Sequence, residues 1–369
     1  MSTSNTTTMQ QAMQLTTAIA VPMALKAAME LGLLEIIEKA GPDACLSPSE
    51  IAARLVPRAS NEEYASQMVD RILRLLSSYS VVTCSVAKCD EENKHMDGQV
   101  RRVYGLGPLA WYFMQGQDDR ASLAPLLHMI NDRLMTGVWY HMKDAILEGQ
   151  VPFNQAHGKS ISDYIGNDEA FAPLFYSSMK DLNTLFISKV LDLYEGFEGL
   201  KSVVDVGGGN GSILKAIISK YPTIKGINFD LPHVIEKLQP SRGIENVAGD
   251  MLASVPKGDA IFMKWVLKNL DDEQCLRVLR NCNKPLPDGG KLTVVEMVIP
   301  DVPDTSIDGR NAFQFDLHLT SMNAWGKERT FGEFQALANA AGFSSIQATT
   351  RAYDMTLVEF YKISSDNYE

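Results

Sequence analysis

At 369 residues and 45% apolar, the chain is long enough to bury a large core and points to two domains. A net charge of -11 argues against nucleic acid or an anionic membrane as a partner. The five cysteines, at 45, 84, 89, 275 and 282, form no Cys-x-x-Cys pair, and the histidines show no zinc spacing. Reduced thiols, a cytoplasmic location and no metal site are therefore expected.

The segment up to Gln11 is polar without a basic run, so it does not read as a signal peptide. Residues 9–40 are rich in Ala, Met and Leu and predict amphipathic helices. The apolar run 18–37 is interrupted by Pro22, Lys26, Glu30 and Glu35, which favours a core or interface helix over a membrane span. Ser47, Pro48 and Glu50 make a capping-box pattern with proline at the first helical position, opening a helix at 51–55. Another helix is expected at 70–78, with Ile72, Leu73, Leu75 and Leu76 facing inward. Residues 81–86 and 102–106 then read as a strand pair around a charged loop at 90–99. Helix, helix, hairpin is a winged-helix pattern, but no basic face accompanies it and the chain is acidic, so a DNA-binding reading fails.

Residues 108–195 predict a mostly helical segment rich in aromatics and methionines, among them Trp111, Met129, Met135, Trp139, Phe153, Phe171, Phe175 and Met179. Such a stripe is more often plain core than pocket wall. From 201 onward strands and helices alternate, with strands at 203–206, 226–230, 244–247, 260–265 and 291–298 and two final ones near 346–350 and 356–361. That spacing predicts a mainly parallel sheet covered on both faces, with ligands at the carboxyl ends of its strands. The expected division is 1–110, 111–195 and 196–369.

Within the last part, Val203, Val204 and Val206 surround Asp205, and Gly207, Gly208, Gly209 and Gly211 follow closely. Ile213, Leu214, Ile217 and Ile218 then repeat at helical spacing. A buried strand running through glycines into a helix N-terminus lets a nucleotide-like ligand approach the backbone. Alone, this fits NAD equally well. A second strand ends at Asp230, suited to ribose hydroxyls. Asp250 and Met251 set an acid beside a soft apolar side chain, suited to the edge and face of an adenine. A further strand ends in Lys264 and Trp265.

With these pieces in order, the chain resembles the plant small-molecule O-methyltransferases, the group of the caffeic-acid and isoeugenol enzymes, over nearly its whole length. The motifs that carry the resemblance are Asp-Val-Gly-Gly-Gly-Asn-Gly at 205–211, Asn-Phe-Asp-Leu-Pro-His-Val at 228–234, Gly-Asp-Met at 249–251, Phe-Met-Lys-Trp at 262–265 and Gly-Lys-Glu-Arg at 326–329. The resemblance implies a Rossmann-like S-adenosylmethionine-dependent methyltransferase fold. It also implies an N-terminal, mainly helical, winged-helix-like domain that forms a homodimer and closes the partner's active site. It places S-adenosylmethionine on Gly207, Asp230, Asp250, Met251 and Lys264, with S-adenosylhomocysteine as the product, and a small aromatic acceptor beside it. The family's pocket-lining pattern falls on Met129, Ala156, Phe171, Phe175, Met179 and Asn323. Near Ile165 and Leu182 the caffeic-acid branch has histidines, so an acceptor larger or less polar than caffeic acid is expected. His318, on a helix that reaches the same pocket, reads as a wall residue or a substitute base.

The most informative feature is a departure. The family's base is a histidine in a Lys-Trp-x-x-His-Asp-Trp pattern, flanked by two glutamates. Here Lys268 holds the base position, Asn269 follows it and Leu270 replaces the second tryptophan, while the glutamates remain as Glu296 and Glu328. A lysine with an unperturbed pKa of about 10.4, set between two carboxylates, is expected to stay charged. It then acts as a fixed cation rather than as a histidine-like base, and Lys268, Glu296 and Glu328 form the expected catalytic group. Such a cation could favour a phenolate, polarise a carbonyl in a reaction that transfers no methyl group, or stand beside a neutral amine acceptor. A catalytically silent partner subunit is the remaining alternative.

Overall fold

The computed structural model describes residues 2–55, 61–86, 101–114 and 120–363. The expected loop at 90–99 and Cys89 lie outside these residues. The chain forms two units, one running to Thr136 and taking in Pro173–Leu182, the other made of Gly137–Ala172 and the chain from Asn183 onward.

The first unit opens with helices Ser2–Thr17, Ala20–Leu31 and Leu33–Glu38. Gly32, at φ 71°, turns the chain between the last two in a conformation that few side chains tolerate. Ser47 caps the next helix, Pro48–Ala53. Its hydroxyl accepts from the Glu50 N–H at 3.3 Å and Glu50 Oε2 accepts from the Ser47 N–H at 2.7 Å, so the helix starts at the proline. The helix expected from residue 70 begins at Glu62, because Asn61 accepts from the Tyr64 N–H at 3.0 Å and two acids occupy its first turn. Val69, Leu73 and Leu76 are buried on its inner face, with Ile72 and Leu75 only partly so. Strands β1 (Val82–Val86) and β2 (Arg102–Leu106) pair antiparallel. Among the described residues, no single helix is long and apolar enough to cross a membrane.

The second unit is built on a seven-stranded sheet. Its strands are β3 (Ser202–Val206), β4 (Lys225–Asp230), β5 (Ile244–Ala248), β6 (Ala260–Lys264) and β7 (Lys291–Glu296), followed later by β10 (Phe343–Ala352) and β11 (Met355–Lys362). A short parallel pair, β8 (Val298–Ile299) and β9 (Arg329–Thr330), lies outside it. The order is β10-β11-β7-β6-β3-β4-β5, parallel from β7 to β5 and antiparallel at β11 and β10. Side chains alternate across it. Val204, Ile261, Met263 and Val294 enter one core with Leu279 and Phe334, whereas Val203, Phe262 and Val295 enter the opposite core with Ile213, Ile217 and Phe186. Both faces are thus covered, and open polar chemistry is left to the carboxyl ends. There Val206 leads into Gly207, Asp230 ends β4, Lys264 ends β6 and Glu296 ends β7.

Candidate active site

Strand order reverses between β6 and β4 on either side of β3, and open α/β sheets bind ligands at such a point. Gly207 leaves β3 at φ 70°. At Gly208 an added Cβ would lie 2.2 Å from Asn228 Oδ1 and 2.8 Å from the Asp205 carboxylate, so the turn closes only without a side chain. The Gly209 N–H donates to Asp230 Oδ2 at 2.9 Å and the Leu231 N–H to its Oδ1 at 2.7 Å, fixing the acid at the loop. Asp205 is buried beneath, and its Oδ2 has no partner among the described residues. Burial, with the negative charge of Asp230, pushes its pKa up to about 7 against the pull of Lys264. Asp250 is exposed, its Oδ1 accepting from the Leu252 N–H at 2.8 Å, and Met251 packs against the core beside it.

Lys264 donates to Asn183 Oδ1 at 2.8 Å. Its ammonium lies 3.7 Å from the centroid of the Trp265 ring, and the Lys268 ammonium lies 4.4 Å from the same centroid. Burial first, then the Lys268 charge, brings the Lys264 pKa down to about 7. Trp265 itself stands at φ 56°, a left-handed conformation that costs on the order of 1–3 kcal/mol for a side-chain-bearing residue.

Lys268 sits in a short 3-10 turn, Leu267–Asn269. Its ammonium donates to Glu328 Oε1 at 2.6 Å, with the lysine side chain 11% exposed and the glutamate side chain fully buried. The Lys268 N–H reaches Glu296 Oε1 only at 3.4 Å, while Glu296 Oε2 and Glu328 Oε2 have no partner among the described residues. Burial and the neighbouring Glu328 hold the Glu296 carboxyl well above the usual carboxylate range.

The turn is held by a residue to which sequence reasoning gave no role. Arg329 is buried. It donates to the carbonyls of Leu267 at 2.8 Å and Leu270 at 2.9 Å, and to Asp272 Oδ1 at 2.7 Å. The Lys327 N–H donates to the Lys268 carbonyl at 3.0 Å and the Glu328 N–H to Asp316 Oδ1 at 2.8 Å. The signal in the sequence is the arginine that ends the 326–329 motif.

Asn269 is exposed, its amide donating to the Trp265 carbonyl at 2.9 Å, and Asn323 donates to the Asn269 carbonyl at 3.2 Å. Both amides thus brace this loop. His318 is buried 6.1 Å from Trp139, and its Nε2 has no partner among the described residues. Burial, then Lys268, hold its pKa down to about 4, so it is neutral at pH 7. Among the other expected pocket residues, Phe171 is buried against Tyr164, with Ala156 and Ile165 on the neighbouring helices Pro152–His157 and Ile161–Asn167. Met129, Phe175, Met179 and Leu182 belong to the first unit, with Met129 and Leu182 buried and the other two partly so.

The O-methyltransferase domain family matches residues 139–344, and the O-methyltransferase dimerisation domain family matches residues 13–116. The chain is 48% identical over 351 residues to the caffeic acid 3-O-methyltransferase of Prunus dulcis, covering 95% of this chain and 93% of that one. It is 49% identical over 351 residues to a flavone 3'-O-methyltransferase of Chrysosplenium americanum, covering 95% and 98%. In fold it is similar to human N-acetylserotonin methyltransferase solved with its methyl donor, at a TM-score of 0.76 and 20% identity, covering 97% and 98%. The chain belongs to the O-methyltransferase family, enzymes that take their methyl group from S-adenosylmethionine. The residues present fit that donor. Gly207 and Gly208 let the loop turn tightly over Val266, Asn228 and Asp205, Asp230 closes it from the next strand, and Asp250 with Met251 offers an acid and a soft apolar face.

Proposed function

We propose that the protein transfers a methyl group to a hydroxyl of a small phenolic plant metabolite, as a homodimer, using Lys268 as a fixed cation where the family has a histidine. The observation that carries this reading is the Lys268–Glu328 contact at 2.6 Å between nearly water-free side chains. An ammonium already committed to a buried carboxylate is a poor proton acceptor but a good partner for a developing phenolate. Bound S-adenosylmethionine supplies an electrophilic methyl on a sulfonium. Gly207, Asp230, Asp250, Met251 and Lys264 would hold the donor, while Glu328 holds the Lys268 ammonium and Arg329 its turn. Ala156, Phe171, His318 and Asn323 of the second unit are the acceptor wall of this reading, with Ile165 making it more apolar than a caffeic-acid pocket. The activities named for the curated relatives, on caffeic acid and flavones, support the substrate class.

The test is turnover with methyl-labelled S-adenosylmethionine against a panel of catechols, flavones and aromatic amines. Label in a phenolic product with matching S-adenosylhomocysteine is the expected result. A product change that needs the donor yet carries no label and releases no S-adenosylhomocysteine would sink the reading, and would make the donor a bound cation only.

A further inference from the structure

The methyl-transfer reading leaves one step unassigned. A phenol has a pKa of about 10 and must lose its proton to attack well. Lys268 is committed to Glu328 and His318 is held neutral by burial far below its ordinary range. Lys264 faces Asn183 and Trp265, Asp230 is bound by the glycine loop, and Asp205 is buried beneath that loop against Gly208. Glu296 remains.

The two glutamates are not equivalent. Burial raises the Glu328 pKa as well and its Oε2 is also unpartnered among the described residues, but the ammonium on its Oε1 at 2.6 Å pulls directly toward the ionised form. Glu296 is as deeply buried, yet its only hydrogen bond among those described is the long one from the Lys268 N–H at 3.4 Å, and its Oε2 has none. A buried carboxylate so poorly hydrogen-bonded gains more from taking a proton than does one in water. The charged groups around it are Glu328, Lys268 and Lys264, with the Cys275 thiol beneath, and β11 places Thr356 opposite. The two ammoniums draw it toward the ionised form, and burial with Glu328 opposes them more strongly.

We propose that Glu296 is the general base of the reaction and that Lys268 serves only to steady the phenolate. This rests on the methyl-transfer reading above. The acceptor O–H bond breaks and its proton goes to Glu296 Oε2. The freed oxygen pair forms the O–CH3 bond, the C–S bond breaks, and its electrons stay on sulfur as S-adenosylhomocysteine. A base that titrates close to working pH is the efficient one. Replacement of the family's histidine therefore moves the base to a neighbouring carboxylate rather than abolishing it.

Two measurements test this on the full-length protein. The first is an infrared titration of the protonated-carboxyl band without donor. A component of the band near neutral pH that is present in the wild type and in Glu328→Gln, and missing from Glu296→Gln above the share that buried Asp205 gives to all three, supports the assignment. An ordinary carboxylate titration of Glu296 overturns it. The second is kinetics with caffeic acid and S-adenosylmethionine. Glu296→Gln should lose about 10²- to 10⁴-fold in kcat, with little change in either KM and no rise of rate with pH. Glu296→Asp should keep the rising limb at a reduced rate, so the test survives a poorly folding glutamine variant. A Glu296→Gln enzyme with unaltered kcat and pH profile overturns the proposal. A wild type inactive on every catechol instead overturns the phenol reading, and the infrared titration then decides on Glu296 alone.

Discussion

Lys268 and Glu328 meet at 2.6 Å with little or no water on either side chain. Breaking such a pair by removing one partner typically costs about 3–5 kcal/mol, because the other charge is left buried and alone. Lys268→Ala should therefore lower the unfolding temperature sharply as well as the rate of methyl transfer. Adding Glu328→Gln to it should restore much of the stability and none of the rate. Thermal unfolding and S-adenosylhomocysteine release, measured on both variants, separate the two effects. A near-normal rate for Lys268→Ala would show that the ammonium takes no part in the chemistry.

Arg329 ties the Lys268 turn through two carbonyls and Asp272 at once. Lysine carries the same charge but cannot span three acceptors in one plane. Arg329→Lys should cost at least about 2 kcal/mol, since each buried acceptor left unpaired is worth roughly 1–3 kcal/mol. It should reduce kcat while leaving donor affinity unchanged, because Gly207 and Asp230 do not depend on it. Isothermal calorimetry with S-adenosylmethionine beside steady-state kinetics checks both halves.

Gly208→Ala should abolish donor binding. The added methyl would stand 2.2 Å from Asn228 Oδ1, and both the loop and the Asn228 amide are held by hydrogen bonds. Calorimetry should register no binding at concentrations that saturate the wild type, and near-normal affinity would mean that the loop yields more easily than its packing implies.

His318 makes stability depend on pH in a defined window. Its folded pKa is held to about 4 against an ordinary 6.5, so the unfolded chain takes up the proton first as pH falls. Stability from this residue is complete above about 6.5 and declines toward 4, by about 3 kcal/mol over the window. Wild-type unfolding temperature should therefore drop more steeply than that of His318→Asn between those limits. Parallel slopes would show that the imidazole is not buried as described.

The sheet and the glycine loop were legible because both depend on local chemistry. Valine-rich runs make strands, glycines mark where the backbone must turn tightly, and the acids at strand ends fall at one edge once the strands are parallel. The helix at Glu62–Ser78 was read short, although Asn61 and the two acids after it were available as a start signal. Lys268, with Glu296 and Glu328 near it in the motifs, was equally visible. Its pairing with Glu328 rather than Glu296 was not, since which of two glutamates takes the ammonium depends on the Arg329 staple and the Asp316 contact, set by residues distant in sequence. The bracing of the turn by Asn269 and Asn323 was hidden for the same reason.

Trp265 keeps a left-handed backbone while two ammoniums stand against its indole. Glycine or asparagine at that position would relax the chain, so a screen for heat-resistant variants should recover them there early. Those survivors would have lost the ring that sets two positive charges side by side. Position 265 is thus a place where selection for robustness and selection for turnover pull the sequence in opposite directions.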